Sequence, residues 1–245
     1  MGAILSTLKL ILFLLWCCIM APIQMVVLLF THGQRAYVIP YYWHKGVCFI
    51  FGIRVKVIGT PVRDRQVMYV SNHLSYLDIP VMGSLLKASF IAKQEVAGWP
   101  VFGFLSKLQQ TAFVDRTGAR IDKDHYDLSN MLDQGKSLIL FPEGTSSDGT
   151  ALMPFKSRLF TLVIERSGGL PVQPFTVRLP DADTQTKRDR YAWYGDMDLA
   201  PHLWALGKTR GVTVELVFHD LIETNAETDR KELTEKCREI VAADL

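Results

Sequence analysis

Residues 67–80 read VMYVSNHLSYLDIP, and the fold is decided here. The first four residues are apolar and strand-like. Asn72, His73 and Asp78 follow directly, and a helical pattern begins near Ile79. A buried strand that ends in polar, titratable side chains and turns into a helix is how α/β enzymes present reactive groups, at the carboxyl ends of their strands. Five residues on a regular helix rotate by about 140°, so His73 and Asp78 do not share one helical face. The histidine is therefore expected just before the helix or on its first, irregular turn.

An imidazole takes up a proton near neutral pH, and a carboxylate beside it fixes its tautomer and stabilises the imidazolium. His73 thus reads as a base oriented by Asp78. Taken alone, the pair fits equally a packed or capping histidine followed by a first-turn carboxylate that the helix dipole favours. No G-x-S-x-G elbow accompanies it, so the nucleophile is expected to belong to a substrate. A second stretch, FPEGT at 141–145, has its own logic. An apolar run at 137–141 is stopped by Pro142, and Gly144 allows a backbone to approach a ligand closely.

Two further segments complete the pattern, FVDR at 113–116 and LPVQP at 170–174. These four blocks, in this order, resemble the glycerolipid acyltransferase family, whose best-known members are 1-acylglycerol-3-phosphate acyltransferases. The resemblance covers roughly residues 65–180 and is most specific in the first and third blocks. It implies that His73 is the general base and Asp78 its orienting partner. The acceptor hydroxyl of a lysophospholipid would then attack the thioester carbonyl of an acyl-CoA or acyl-carrier-protein donor, with no acyl-enzyme, cofactor or metal. It further implies that Arg116 binds the acceptor's phosphate, a task suited to a forked guanidinium. Glu143 and Gly144, with Thr145 beside them, are implied to bind the acceptor or shape the site. Lys93, directly after an apolar run, is a second anion-binding candidate, with a snorkelling surface lysine as its alternative.

Two departures bear on the acceptor. Ser146 stands where the family often carries an arginine, and Phe155 and Lys156 lead into Ser157 and Arg158 rather than a small glycine. Together with AWYGDMDLAPHLW at 192–204, FPEGTSSDG looks closer to a bacterial branch that includes lyso-ornithine lipid acyltransferases. The acceptors that follow are 1-acylglycerol 3-phosphate, giving phosphatidate, or lyso-ornithine lipid. A non-catalytic lipid-binding or transfer protein, or a lysolipid hydrolase, remains as another class; the binding-only reading leaves the His73 and Asp78 pairing unexplained.

The chain has 245 residues and a formal charge of +2. That allows one substantial core and gives no argument for a nucleic-acid partner. Residues 10–30 carry no charge and only Gln24 as a strongly polar member, long enough at about 1.5 Å per residue to cross a hydrocarbon core of about 30 Å. Pro22 is expected to kink this helix. Tyr41, Tyr42 and Trp43 followed by the apolar stretch 47–53 suggest a second element in or near the membrane. The expected division is membrane-anchoring helices over 1–55 and an acyltransferase domain over 56–245. The resemblance places the protein at a bacterial inner membrane with its catalytic domain on the cytoplasmic side, where thioester donors are made. Cys17, Cys18, Cys48 and Cys237 show no paired metal spacing, so neither zinc nor a disulfide framework is expected.

From residue 56 onward short apolar runs alternate with helical patterns. Strands are predicted at 67–70, 90–92, 112–114, 138–141, 172–177 and 212–218, and helices at 79–86, 122–132, 155–166 and 229–243. Residues 181–190, polar and charged, are expected to be an exposed loop. The fold class is α/β: N-terminal membrane helices followed by a mixed sheet covered by helices on both faces.

Overall fold

The structure is a computed structural model and describes residues 1–115 and 121–245. Among these residues seven strands form one sheet: β1 (Ile53–Ile58), β2 (Met68–Ser71), β3 (Ala88–Lys93), β4 (Ala112–Val114), β5 (Ser137–Leu140), β6 (Val172–Arg178) and β7 (Val212–Phe218). Their order is β1-β7-β6-β2-β5-β3-β4, with every neighbour parallel except the antiparallel pair β6 and β7. The α-helices are α1 (Gly2–Phe30), α2 (Val38–Phe51), α3 (Asp78–Gly83), α4 (Phe102–Leu108) and α5 (Ile121–Asp133), then α6 (Thr161–Ile164), α7 (Gln185–Tyr191), α8 (Leu199–Gly207) and α9 (Arg230–Ala242). The mixed, helix-covered sheet is the one the alternating pattern predicts.

The two central strands, β2 and β5, are buried along their whole length. That explains why they read as unbroken apolar runs rather than alternating ones. The two-residue period of a strand sends successive side chains to opposite faces. Met68, Val70, Leu138 and Leu140 meet Leu128 and Leu132 of α5, Leu162 of α6 and Cys237 of α9. Tyr69 and Ile139 join the other core, with Val81 and Met82 of α3, Phe51 of α2 and Leu206 of α8. Parallel pairing aligns Val70 of β2 with Leu140 of β5, so residues 72–78 and 141–145 leave the sheet side by side at one edge.

Helix α1 continues through Pro22 without interruption. Its buried stripe is Ser6, Lys9, Phe13, Cys17, Met20 and Gln24, at steps of three and four residues, the spacing of one helical face. The polar members of that stripe point at the protein. Ser6 Oγ donates to Trp204 O at 2.9 Å, Lys9 Nζ to Phe51 O and Thr209 O at 3.0 and 2.9 Å, and Gln24 Nε2 to Ala36 O and Leu108 O at 3.0 and 2.9 Å. The opposite side is aliphatic and exposed, including Leu8, Ile11, Leu15, Ile19, Val26 and Leu29. Helix α2 has 14 residues, about 21 Å at 1.5 Å per residue, short of a hydrocarbon core of about 30 Å. It packs between α1 and α3.

Several details differ from the sequence reading. The strand β1 is additional, because IRVKVI alternates apolar with cationic residues along a half-buried edge and was absorbed into the apolar stretch before it. The helix expected over 155–166 shrinks to a 3₁₀ turn, Arg158–Phe160, followed by α6. Its first turn is lost because Lys156 N donates to Pro142 O at 2.9 Å, which keeps that segment beside residues 141–145. The expected loop at 181–190 contains α7, whose cap Thr184 accepts from Lys187 N.

At the start of the outer strand pair, Gly52 ends α2 with φ 75° and Gly211 precedes β7 with φ 116°. A Cβ on Gly211 would run into the Gly52 carbonyl. Gly211→Ala is expected to cost about 1–3 kcal/mol through positive-φ strain and this close approach, measured as a lowered thermal midpoint; an unchanged midpoint would show that the two backbones separate freely.

Candidate active site

His73 lies in the turn between β2 and α3, and Asp78 is the first residue of α3. Their side chains meet, His73 Nδ1 to Asp78 Oδ2 at 2.6 Å. The same carboxylate oxygen accepts Leu74 N at 2.8 Å and Ser75 N at 3.0 Å. An oxygen already surrounded by two N–H donors is approached by a third donor, so the ring carries its hydrogen on Nδ1 and leaves a lone pair on Nε2. Asp78 is sealed, with a side chain 3% exposed, while that of His73 is 21% exposed. The imidazole is open to a ligand and the carboxylate is not. Phe141 lies under the imidazole, ring centres 4.2 Å apart and planes inclined by 18°.

The backbone of this turn is held on every side. His73 N donates to Glu143 Oε1 at 2.8 Å, Ser147 N donates to His73 O at 2.9 Å, and Trp193 N donates to Leu74 O at 2.9 Å. Glu143 Oε2 accepts Met153 N at 3.0 Å. The Glu143 residue is 2% exposed. Desolvation pushes its carboxyl above the usual range, against the opposing pull of the two backbone N–H groups and of His73. Asn72 joins β2 to β6 as a strand would: its Nδ2 donates to Val177 O and its Oδ1 accepts Val177 N, both at 2.8 Å.

Of the residues singled out from the sequence, His73, Asp78, Glu143 and Gly144 are thus brought together through the adjacent ends of β2 and β5. Gly144 adopts φ 78°, and a Cβ there would come within 2.8 Å of Lys156 Nζ. Thr145 is half-buried in the same turn. Lys93 ends β3, paired in register with Val114 of β4, at the same edge of the sheet. Arg116 lies outside the described residues. Sequence reasoning gave no role to Asn72, Phe141 or Lys156. Asn72 and Phe141 stand within the quoted stretches, but side-chain stacking and a backbone-mimicking amide leave no spacing pattern.

Beside the turn is an apolar cavity of ≈ 850 Å³, counted with its open mouth, lined by side chains including Phe13, Trp43, Tyr76, Trp99, Phe102 and Leu203. Trp99 and Phe102 therefore line a cavity, whereas Phe104 is half exposed on the surface. Tyr76 belongs to the His73 turn and its hydroxyl meets His202 Nδ1 at 2.9 Å, tying the turn to α8. No cluster of potential metal ligands occurs among the described residues.

A mixed sheet with a largely parallel core thus presents a histidine–aspartate pair beside an apolar cavity. The chain belongs to the acyltransferase family, whose model matches residues 54–178. It is 35% identical over 236 residues to the lyso-ornithine lipid O-acyltransferase of Brucella abortus, covering 91% of this chain and 87% of that protein. It is 31% identical over 202 residues to the 1-acyl-sn-glycerol-3-phosphate acyltransferase of Neisseria gonorrhoeae, covering 81% and 77%. The crystal structure of the 1-acyl-sn-glycerophosphate acyltransferase of Thermotoga maritima shares the fold, with a TM-score of 0.70 at 19% identity over 99% of this chain and 95% of that one.

Glu143→Gln replaces one acceptor oxygen with an amide that faces a backbone N–H. The variant is expected to lose about 1–3 kcal/mol of stability, the cost of leaving a buried donor unpaired. Faster hydrogen exchange at the His73 or Met153 amide would accompany it; unchanged protection at both would show that the carboxylate does not hold the turn.

Proposed function

We propose that this acyltransferase moves a fatty acyl group from an acyl thioester to the free hydroxyl of a membrane lysolipid, with His73 as general base and Asp78 as its orienting partner. The observation that carries the reading is the 2.6 Å contact of Asp78 with His73 Nδ1 under a partly open ring. Nε2 accepts the hydroxyl hydrogen as the acceptor oxygen bonds to the thioester carbonyl carbon. The tetrahedral adduct then collapses, the carbon–sulfur bond breaks, and the imidazolium returns its proton to the departing sulfur. One residue serves as base and then as acid. Glu143 and Phe141 contribute by fixing the backbone and the ring plane of His73, and the acyl chain occupies the apolar cavity beside Tyr76.

The acceptor's anionic group is assigned to Arg116 and Lys93, around the turn of Gly144 and Thr145. Ser146, which stands where the family often has an arginine, is 9% exposed, so this turn adds no cation of its own at that position. Lys156 nevertheless holds its ammonium beside Gly144, so charge at this turn does not separate the two head groups, and lyso-ornithine lipid as acceptor is supported by the Brucella abortus relative. The second reading, 1-acylglycerol 3-phosphate, is supported by the Neisseria gonorrhoeae relative. The donor is a thioester of coenzyme A or of acyl carrier protein. The aliphatic outer side of α1 supports attachment to a membrane, with the helix lying against the domain and its apolar side in lipid, and a catalytic domain facing the cytoplasm.

Incubation with a labelled acyl thioester and a panel of lysolipids, with products identified by mass, tests class and acceptor together. Free fatty acid released without any lysolipid would favour hydrolysis and overturn the transfer reading. His73→Ala is expected to lower kcat/KM by about 10²–10⁴-fold, the usual contribution of one positioned base, with the fold retained; full activity would refute the assignment. Arg116→Ala is expected to raise the KM for the acceptor and leave the donor's unchanged, and an effect confined to the donor would remove the anion-binding role.

A further inference from the structure

The sheet edge opposite the catalytic pair carries a polar cavity of ≈ 900 Å³, counted with its open mouth. Its lining includes Tyr41 and Tyr42 of α2, Arg63 and Arg65 from the segment between β1 and β2, and Lys87 just before β3. It also includes Ser137, the first residue of β5, so it sits at the amino ends of strands whose carboxyl ends bear His73 and Phe141. Its lining residues contain no carboxylate. Arg65 is paired with Glu223; among the described residues neither Arg63 nor Lys87 is in an ion pair. Lys45, one turn along α2, holds its Nζ 4.5 Å from the centre of the Tyr41 ring, and Lys87 Nζ lies 6.0 Å from the same centre. Both ammonium groups lie near a ring that lines the cavity, so positive charge collects around it and favours an anion there.

The rim of the cavity indicates where the anion comes from. The outward side of α2 presents Val38, Tyr42, Lys45 and Phe49 at helical spacing, with Phe49 87% exposed. Separated from α2 by residues 31–37, the end of α1 exposes Leu29 and Phe30 at 76% and 81%. Aromatic rings and lysines beside exposed apolar side chains are the composition of a headgroup-level boundary. We propose that this cavity binds the phosphate of an anionic membrane phospholipid, seating the protein on an acidic bilayer surface through a contact separate from the catalytic cleft. The proposal rests on the membrane attachment proposed above and not on the identity of the acceptor.

Sedimentation of the full chain with vesicles tests it, using phosphatidylcholine alone and equal parts phosphatidylcholine and phosphatidylglycerol. The wild type is expected to prefer the acidic vesicles. The double variant Lys45→Gln/Lys87→Gln is expected to lose roughly five- to thirtyfold of that preference, with binding to neutral vesicles and acyl transfer in detergent micelles unchanged. Arg63→Gln provides a second, independent variant should the first misfold. Lys231→Gln/Lys236→Gln on α9 removes the same charge elsewhere and should leave the preference intact. Equal loss in that control, or equal binding of the wild type to both vesicles, overturns the site. Inorganic phosphate is expected to displace the protein from acidic vesicles beyond chloride at matched ionic strength; displacement no greater than by chloride would show attraction by surface charge alone and overturn a phosphate-binding cavity. A wild type that binds neither vesicle overturns membrane attachment itself, and acyl transfer in micelles reports separately on the enzymatic reading.

Discussion

Three hydrogens converge on one oxygen of Asp78: the ring Nδ1–H of His73 and the backbone N–H groups of Leu74 and Ser75. This single acceptor sets the path of the turn, the tautomer of the ring and the direction in which the ring's free nitrogen points. Around it, the structure spends buried polar groups in ways that only make sense as support. Glu143 reaches from the neighbouring strand end to hold His73 N, and Asn72 reaches to the strand on the other side to bond Val177 through both of its amide atoms. Buried polar groups of this kind are costly unless satisfied, and here each is matched by a partner that fixes the turn around the imidazole. The parallel adjacency of β2, β5 and β6 makes these reaches short enough for side chains of this size.

Much of this was legible in the sequence because the central strands are buried on both sides. The runs at 67–70 and 138–141 are apolar without interruption, that at 172–177 is broken only by the buried Gln173 and Thr176, and a turn to polar residues beyond them marks the sheet edge. The histidine–aspartate spacing and the FPEGT turn were legible for the same reason, being short-range. What escaped was long-range or masked by a stronger local signal. Glu143 carries a side chain that could serve a ligand or a backbone equally well; only the fold, which places His73 N 2.8 Å from it, decides. The strand β1 was hidden because Ile53, Val55 and Val57 continue an apolar stretch begun in α2, and its cationic members Arg54 and Lys56 lie at an edge where charge is tolerated. The helical pattern at 155–166 was real in propensity but yielded to the hydrogen bonds of Met153 and Lys156 with residues 142 and 143.

The N-terminal helix illustrates how composition alone understates a structure. Residues 10–30 are so apolar that they suggest a separate anchor, yet Lys9 and Gln24, flanking and interrupting that run, are the residues that dock it. Each donates to carbonyl oxygens at chain segments near the ends of other elements, where backbone acceptors have no helical partner. Polar side chains turned inward and aliphatic ones turned outward reverse the usual arrangement of a surface helix, and that reversal separates a helix that packs on its own domain from one that merely leads to it.

Phe13, one of the residues buried on that inward stripe, is also part of the wall of the apolar cavity beside Tyr76. Trimming the first thirty residues would therefore remove more than an exposed apolar face. It would unroof the chamber next to His73, so that the outer apolar face and the wall of the cavity belong to one helix and are kept or lost together.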